Sequence, residues 1–144
     1  MLTIRKIVQS DAKSLGELAA KVFTMPWSEK AFGELAQDAN SLFLVAEEDG
    51  RILGGCGLNR VLDEGDIHNV MVETSARGKG LATKLMERLL EEGGKMGITE
   101  FTLEVRVSNA PAIHVYEKLG FVSEGVRPRF YEQPVEDALI MWKR

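Results

Sequence analysis

Apolar residues follow two spacings along this chain, and each spacing predicts a different kind of secondary structure. Alternating or continuous apolar segments predict strands at 2–7, 42–48, 51–60, 67–72, 101–107, 121–126 and 137–142. Apolar residues that recur every three or four positions predict four helices, beginning near residues 11, 28, 80 and 109. The resulting order, βααβββαβαββ, predicts a mixed α/β layer rather than an all-parallel doubly wound sheet.

Residues that begin or end helices stand at most of these borders. Ser10 or Asp11 is placed to cap the first helix, and Ser28 is placed to cap the second. Gly93-Gly94 together with Gly97 is predicted to end the third helix, and Gly120 is predicted to follow the fourth as its C′ residue. Asp63-Glu64-Gly65-Asp66 is predicted to form a turn before the strand at 67–72.

Length and composition narrow the class of protein. The 144 residues predict one domain over 1–144, and their 44% hydrophobic and 28% charged content is typical of a soluble cytoplasmic protein. No membrane partner or signal peptide is expected, because no apolar stretch approaches the ~20 residues that span a bilayer. The net charge of −4 argues against nucleic-acid binding. One cysteine and two histidines exclude an internal disulfide and disfavour a metal site.

Several familiar catalytic motifs are absent. A P-loop would need glycine where Glu73 stands, a Rossmann loop would need glycine where Thr83 stands, and no G-x-S-x-G segment exists. Cys56 lies in an apolar run, which predicts a buried and inert thiol. His68 and His114 lie on different elements, and we expect each to have a structural or surface role.

The loop that follows the strand at 67–72 carries the clearest chemical signal. It contains Arg77, Gly78, Lys79 and Gly80, and it opens the third helix. Helix N-termini bind anions because their first N–H groups lack partners, and glycine lets the backbone approach a ligand closely. From the loop alone, anion binding and a tight turn made by the glycines are both open.

The pattern Arg77-x-x-Gly80-x-Ala82 resembles the Q/R-x-x-G-x-G/A loop of the GNAT acetyltransferases, in the same strand–loop–helix setting. The resemblance implies the GNAT fold, a single central mixed sheet with helices on both faces, and acetyl-CoA as the acetyl donor. It implies that the loop amides hold the coenzyme A pyrophosphate and that the preceding strand binds the pantetheine arm. The residues so assigned are Val70, Met71, Val72, Arg77, Gly78, Lys79, Gly80, Leu81 and Ala82.

A second segment extends the resemblance to a subfamily. Residues 103–121 resemble the L-E-V-R-x-S-N-x-x-A-I-x-x-Y-x-x-L-G-F signature of RimI-type GNAT enzymes, which acetylate protein N-termini. Residues 26–32, and Tyr131 followed by 136–141, resemble further segments of that subfamily, so the resemblance covers essentially the whole chain. The chain departs from the pattern at His68, where an apolar residue is expected, and in a short loop after Tyr131.

The resemblance assigns roles in acetyl transfer to particular residues. Glu104 matches the general base, and its alternative is a solvated strand carboxylate paired with Arg106. Tyr116 matches the general acid that protonates the leaving thiolate, and its alternative is a core tyrosine. Asn109 is predicted to cap the fourth helix and to contact the coenzyme arm. A backbone amide near Met71 or Val72 is a candidate to polarise the thioester carbonyl.

The acceptor side is assigned to Pro26, Trp27 and Tyr131, with the alternative that Trp27 packs the first two helices onto the sheet. Glu136-Asp137 is predicted either to attract a cationic amino terminus or merely to begin a strand. The net acidity of the chain fits a basic protein substrate.

The expected function is acetyl transfer from acetyl-CoA to a protein or peptide N-terminal α-amino group, with the N-terminal alanine of a small-subunit ribosomal protein as the candidate. One alternative is a GNAT enzyme for a small-molecule amine or a protein lysine. Another is a coenzyme A-binding module without turnover, against which the presence of both Glu104 and Tyr116 counts. An open groove would favour a peptide acceptor, and a closed pocket would favour a small amine.

Overall fold

The structure, a computed structural model, describes all 144 residues and contains seven strands and four helices in the predicted order. The strands are β1 Leu2–Lys6, β2 Ser41–Glu48, β3 Arg51–Val61, β4 Glu64–Val72, β5 Glu100–Arg106, β6 Val122–Tyr131 and β7 Glu136–Lys143. The helices are α1 Ala12–Val22, α2 Glu29–Leu35, α3 Leu81–Lys95 and α4 Ala110–Lys118. Short 3-10 turns at Gln9–Asp11 and Thr74–Ala76 precede α1 and α3. The predicted order is therefore confirmed.

All seven strands form one sheet, in the order β1-β2-β3-β4-β5-β7-β6. Neighbouring strands are antiparallel except β4 and β5, which run parallel and are joined by a crossover through α3. The β4–β5 ladder has only three residue pairs, from Glu64 opposite Glu100 to Asp66 opposite Thr102. Both strands continue past the last pair, so a gap opens between them in the middle of the sheet.

Helices cover both faces of the sheet, as the GNAT fold requires. On one face, α3 and α4 enclose the larger core, which includes Leu58, Ile67, Leu85, Leu89, Leu103, Val105 and Tyr116. On the other face, α1 and α2 enclose a smaller core around Phe32, Phe43 and Met71. No residue of β5, β7 or β6 belongs to this smaller core. We call the α1/α2-side surface of these three strands the open face.

A β-bulge in β4 divides the strand into two parts. His68 lies opposite Gly57 and Met71 lies opposite Gly55, so two residues of β4 face one residue of β3. Asn69, inside the bulge, has a left-handed backbone with φ of +52°. The bulge brings His68 and Met71, three positions apart, onto the same α1/α2 face of the sheet.

Two predicted strand borders were wrong. β4 begins at Glu64 rather than at 67, because residues predicted as a turn pair with both neighbouring strands. β6 continues to Tyr131 rather than ending at 126. The predicted end of α3 was partly right, because α3 continues through Gly93-Gly94 to Lys95 but is followed by Gly97 with φ of +91°. Gly93 serves packing rather than helix termination, because an added Cβ would lie 2.9 Å from the Phe101 ring.

The predicted caps of α2 and α4 are confirmed, and the predicted cap of α1 is not. The Ser28 hydroxyl accepts from the Ala31 N–H at 3.2 Å, and Gly120 follows α4 with φ of +98°. Asp11 precedes α1, but its carboxylate accepts from Arg5 and from the Val8 N–H instead of capping that helix. None of the helices is both long and apolar enough to cross a membrane.

Candidate active site

The gap between β4 and β5 is the centre of the candidate site. Past Asp66 the residues of β4 pair with β3, and past Thr102 the residues of β5 pair with β7. The edges that face each other across the gap form no further ladder, so their backbone groups are free to bind an extended ligand. Val70, Met71 and Val72 lie on this part of β4, although the Val72 carbonyl accepts from Arg77 at 3.2 Å.

The β4–α3 loop (residues 73–80) lies at one end of the gap. Gly78 and Gly80 adopt left-handed backbones, with φ of +79° and +76°. An added Cβ at either glycine would meet nothing within 4 Å, so the backbone conformation rather than crowding requires glycine there. Gly80 is the N-cap of α3 and provides no capping side chain. The first N–H groups of α3, from Leu81 onward, are therefore available to an anion.

Glu104 lies on β5 with its side chain on the open face, opposite in direction to Leu103 and Val105. Its side chain is 23% exposed, and its carboxylate lies 3.7 Å from the Arg127 guanidinium. Partial burial and the nearby charge of Asp66 raise the pKa of Glu104, while Arg127 opposes that rise. The predicted alternative pairing of Glu104 with Arg106 is wrong, because Arg106 is bound elsewhere.

Arg106 fastens the hairpin between β6 and β7. Its guanidinium donates to the Pro134 carbonyl at 2.9 Å, to the Glu132 carbonyl at 3.0 Å and to the Glu136 carboxylate at 3.1 Å. It also stacks on the ring of Tyr131, 4.5 Å from the ring centroid. Tyr131 is thereby held beside the open face. Burial, followed by the charge of Glu104, raises the pKa of Tyr131 to about 12.

The carboxylates of Glu136 and Asp137 already have protein donors. Glu136 accepts from the Ser108 N–H at 2.8 Å, and this bond together with Arg106 lowers its pKa. Asp137 accepts from the Arg129 N–H at 2.9 Å. Of the two predicted roles, the contacts support the structural one at the start of β7.

Tyr116 lies on α4 and is 7% exposed, within the core on the α3/α4 side of the sheet. Its ring lies 6.0 Å from that of Phe121, and burial raises the pKa of its phenol. Cys56 and Tyr131 lie close enough that their ionised forms would raise this pKa further. The core-tyrosine description is therefore correct, and it is compatible with a role at the gap. Cys56 itself is fully buried, as predicted.

Asn109 is the N-cap of α4, where its side-chain oxygen accepts from the Ala112 N–H at 3.3 Å. The predicted capping role is confirmed. Its predicted contact with the coenzyme arm stays a prediction.

Trp27 lies in the connection between α1 and α2, next to the exposed Pro26. Its ring stacks on His68 with centroids 4.7 Å apart and planes 21° apart, and it also contacts Phe32. The predicted packing role of Trp27 is thus observed, and its contact with His68 places it beside β4.

His68 is held as a neutral imidazole. The Asn69 side-chain amide lies 2.9 Å from its Nδ1, and burial lowers its pKa to about 4. Its Nε2 is buried without a protein partner. The predicted structural role fits this position, and His114, by contrast, is exposed.

Two cavities lie outside the gap. One of about 500 Å³ is bordered by the ends of β1–β3 and the start of α3, and another of about 380 Å³ lies between α2 and Asn59. Neither is lined by Glu104 or Tyr116. No cluster of three or more His, Cys, Asp or Glu side chains is arranged to hold a metal.

Two residues near Glu104 were missed in the sequence. Asp66 pairs with Thr102, which lies two residues before Glu104 on β5. The sequence pattern predicted a turn at Asp66. Arg127 lies one residue past the predicted end of β6. Only the sheet order shows that both residues share the surroundings of Glu104.

Comparison with known proteins identifies the family. Residues 12–121 match the model of the acetyltransferase (GNAT) family. The chain belongs to the GNAT acetyltransferase family. It is an N-acetyltransferase, and the fold expected from the β4–α3 loop motif is confirmed.

Individual relatives cover nearly the full chain. The Escherichia coli K12 [ribosomal protein bS18]-alanine N-acetyltransferase is 34% identical over 143 residues, covering 98% of this acetyltransferase and 96% of the relative. A Bacillus subtilis protein whose name assigns that activity provisionally is 36% identical over 140 residues, covering 96% of this chain and 93% of its own. The crystal structure of the Escherichia coli ribosomal-protein-S18-alanine N-acetyltransferase superposes with a TM-score of 0.91 at 33% identity, covering 99% and 93%.

Proposed function

We propose that this acetyltransferase transfers the acetyl group of acetyl-CoA to the N-terminal α-amino group of a protein. One arrangement carries the proposal. The gap between β4 and β5 has the β4–α3 loop at one end, Glu104 on its open face and Tyr116 in the core on its other side. A donor bound in the gap would thus have a base and an acid on opposite sides.

The residues fit coenzyme A. The uncapped N-terminus of α3 and the two left-handed glycines leave backbone N–H groups for a pyrophosphate, and β4 past Asp66 has an unpaired edge for an extended arm. When bound, acetyl-CoA supplies the acetyl group as a reactive thioester. We assign its binding to Val70, Met71, Val72, Arg77, Gly78, Lys79, Gly80, Leu81, Ala82 and Asn109.

In this proposal Glu104 removes a proton from the incoming ammonium group. An α-amino group titrates near pH ~8, so most of it is protonated at neutral pH and cannot attack a thioester. The raised pKa of Glu104 brings its basicity closer to that of the amine, which favours proton transfer. The open face leaves room for the amine to approach the carboxylate.

Tyr116 is assigned as the proton donor. A phenol is protonated at neutral pH, and burial raises the pKa of Tyr116 further above that range. In this proposal it gives its proton to the leaving thiolate. Tyr116 lies on the α4 side of the sheet, whereas the Glu104 carboxylate lies on the open face.

A protein N-terminus is the acceptor that best fits the open face. Pro26, Trp27 and Tyr131 are assigned to the walls of the acceptor site, and the site is open to solvent at Asp66 and Arg127. A small amine would gain more from an enclosed pocket than from such an open surface. The names of the Escherichia coli and Bacillus subtilis relatives suggest the N-terminal alanine of ribosomal protein bS18 as the acceptor.

The test is an acceptor panel assayed by mass spectrometry with acetyl-CoA. The first set of acceptors is a series of peptides that differ only in their first residue. The second set has a blocked N-terminus and an internal lysine, so that only the lysine side chain can react. The third acceptor is spermidine, a small amine. We expect acetylation at the free α-amino group, fastest with alanine first. Faster acetylation of spermidine or of the lysine side chain would contradict the proposed acceptor, and no acetylation at all would support a binding module without turnover.

A further inference from the structure

Arg127 reaches across β7 to the carboxylate of Glu104. In the sheet, Gly125, Ile140 and Glu104 form one cross-strand row, and Arg127, Ala138 and Arg106 form the next. Ala138 has a short side chain and is fully buried, so it leaves space for the long Arg127 side chain to lie across β7. The Arg127 Nε then lies 3.7 Å from Glu104 Oε2.

The two arginines beside Glu104 are held very differently. Arg106 has three hydrogen-bond acceptors and an aromatic ring as partners. Arg127 has one ion-pair partner, the Glu104 carboxylate, at a distance longer than a hydrogen bond, and its side chain is 58% exposed. An ion pair of this kind is weak and exchanges readily with other cations. Asp66 is near enough for the charge of Arg127 to oppose the rise that burial causes in the pKa of Asp66.

The charged groups that face Glu104 come from several strands. Asp66 projects from β4, Tyr131 stands at the end of β6, and Arg106 is neutralised by Glu136. Arg106 and Arg127 each have one acidic partner at ion-pair distance, Glu136 and Glu104 respectively. Arg127 is the cation whose partner is Glu104, and the charge of Asp66 also acts on it. It therefore occupies the place beside Glu104 that a substrate ammonium group must reach before it gives up its proton.

We propose that Arg127 is a displaceable counter-cation, which sits at the ammonium position beside Glu104 in the free enzyme and leaves it when the acceptor binds. The inference rests on the proposed role of Glu104 as base. Arg127 keeps the carboxylate ionised between turnovers, and only an acceptor that brings its own positive charge replaces it. Arg127 is thus a specificity-determining residue that favours charged amines over neutral ones.

The experiment compares Arg127→Met with Arg129→Met, a matched variant two residues further along β6 whose side chain makes no ion pair. The acceptor is whichever compound the wild type acetylates fastest in the panel above. In Arg127→Met, KM for the acceptor and its calorimetric Kd in the presence of coenzyme A should both fall about two- to fivefold, because the competing cation is gone. Arg129→Met should leave both values unchanged.

A second measurement separates displacement from a merely structural role. The acid limb of the kcat/KM profile should move to higher pH in Arg127→Met only, since removal of the cation raises the pKa of Glu104 further. The proposal would be overturned if Arg127→Met changed neither KM nor the acid limb of the kcat/KM profile. A raised KM would also overturn it, because it would mean that Arg127 contacts the acceptor. Failure of the proposed function would instead show in the wild-type panel, before any variant is made.

Discussion

The two sides of the gap present different chemical groups, mostly backbone on one side and side chains on the other. Apart from Asn109, the proposed coenzyme side is one continuous stretch, the end of β4, the β4–α3 loop and the first turn of α3, and it offers mostly backbone groups. The acceptor side assembles side chains from β4, β5, β6 and the α1–α2 connection, and it includes Asp66, Glu104 and Arg127. A backbone site tolerates most side-chain changes, whereas a side-chain site changes its chemistry with a single substitution.

The largest effect is expected on the acceptor side, from Glu104→Gln. The variant keeps the size of the side chain but cannot accept a proton, so kcat/KM at neutral pH should fall about 100-fold or more. The rate should recover partly as pH rises, because the amine then loses its proton unaided. In the wild type we expect the rate to fall as pH drops through the raised pKa of Glu104, and this decrease should disappear in the variant.

The pH dependence is measured with a peptide acceptor in parallel for both proteins, and coenzyme binding serves as the control. A uniform loss across pH with weaker peptide binding would make Glu104 an acceptor-binding residue. An unchanged rate would refute both roles.

Tyr116→Phe tests the opposite side of the gap. Loss of the phenolic proton donor should lower kcat roughly 10- to 100-fold, less than the loss at Glu104 because a thiolate is already a good leaving group. Coenzyme affinity should stay close to that of the wild type, as measured by calorimetry.

Thermal unfolding distinguishes chemistry from packing at Tyr116. The ring stays against Phe121 in the variant, so the melting temperature should change little. A large loss of stability with normal turnover would leave Tyr116 as a core residue alone.

Charge placed at the coenzyme side should weaken binding without touching the acceptor. Gly80 has φ of +76°, a conformation that asparagine and aspartate adopt more readily than other residues with a side chain. We therefore compare Gly80→Asp with Gly80→Asn, which differ only in charge. The Kd for coenzyme A should be about tenfold higher in the aspartate variant, because a carboxylate at the α3 N-terminus repels the pyrophosphate. Equal affinities in calorimetry would contradict the assignment of this loop.

The smallest effect is expected from a substitution at His68, and it concerns the free energy of unfolding rather than activity. His68→Leu removes a buried Nε2 that has no protein partner, and it should raise the free energy of unfolding by about 1 kcal/mol. In the wild type the folded-state pKa of about 4 lies below the ordinary 6.5, so stability falls as pH drops from 6.5 towards 4. Urea unfolding at pH 7 and pH 5 should show a smaller difference in the variant. Lower stability at both values would show that Nε2 has a partner, such as a buried water.

The sequence predicted best those features that lie within a few residues of one another. Ser28 and Asn109 cap their helices because the capping bond spans only three residues. The strand–loop–helix arrangement around the β4–α3 loop was also predicted, because its motif lies within six consecutive residues. Glu104 was paired with Arg106, two residues away, but the hairpin between β6 and β7 binds Arg106 instead.

The features that could not be predicted from the sequence depend on contacts between residues on different strands and helices. Arg127 joins Glu104 only because β7 lies between β5 and β6 with the short Ala138 at the crossing point. From the sequence, Gly93 resembles a residue that ends a helix. In the structure it lies within the helix, where a side chain would collide with Phe101 on the next strand. Strand order and register are properties of the whole chain, and no local pattern contains them.

The bulge in β4 also determines how this region can change in evolution. Beyond Asn69, the alternation of peptide groups is shifted by one residue, so the bulge selects which amides of Val70, Met71 and Val72 point across the gap. Deleting one bulge residue would reverse both the facing of Met71 and the direction of those amides in a single step. We therefore expect length variation to be tolerated in the turn at 62–63 but not at 69–70, where every residue is needed to keep the strand in phase with its ligand.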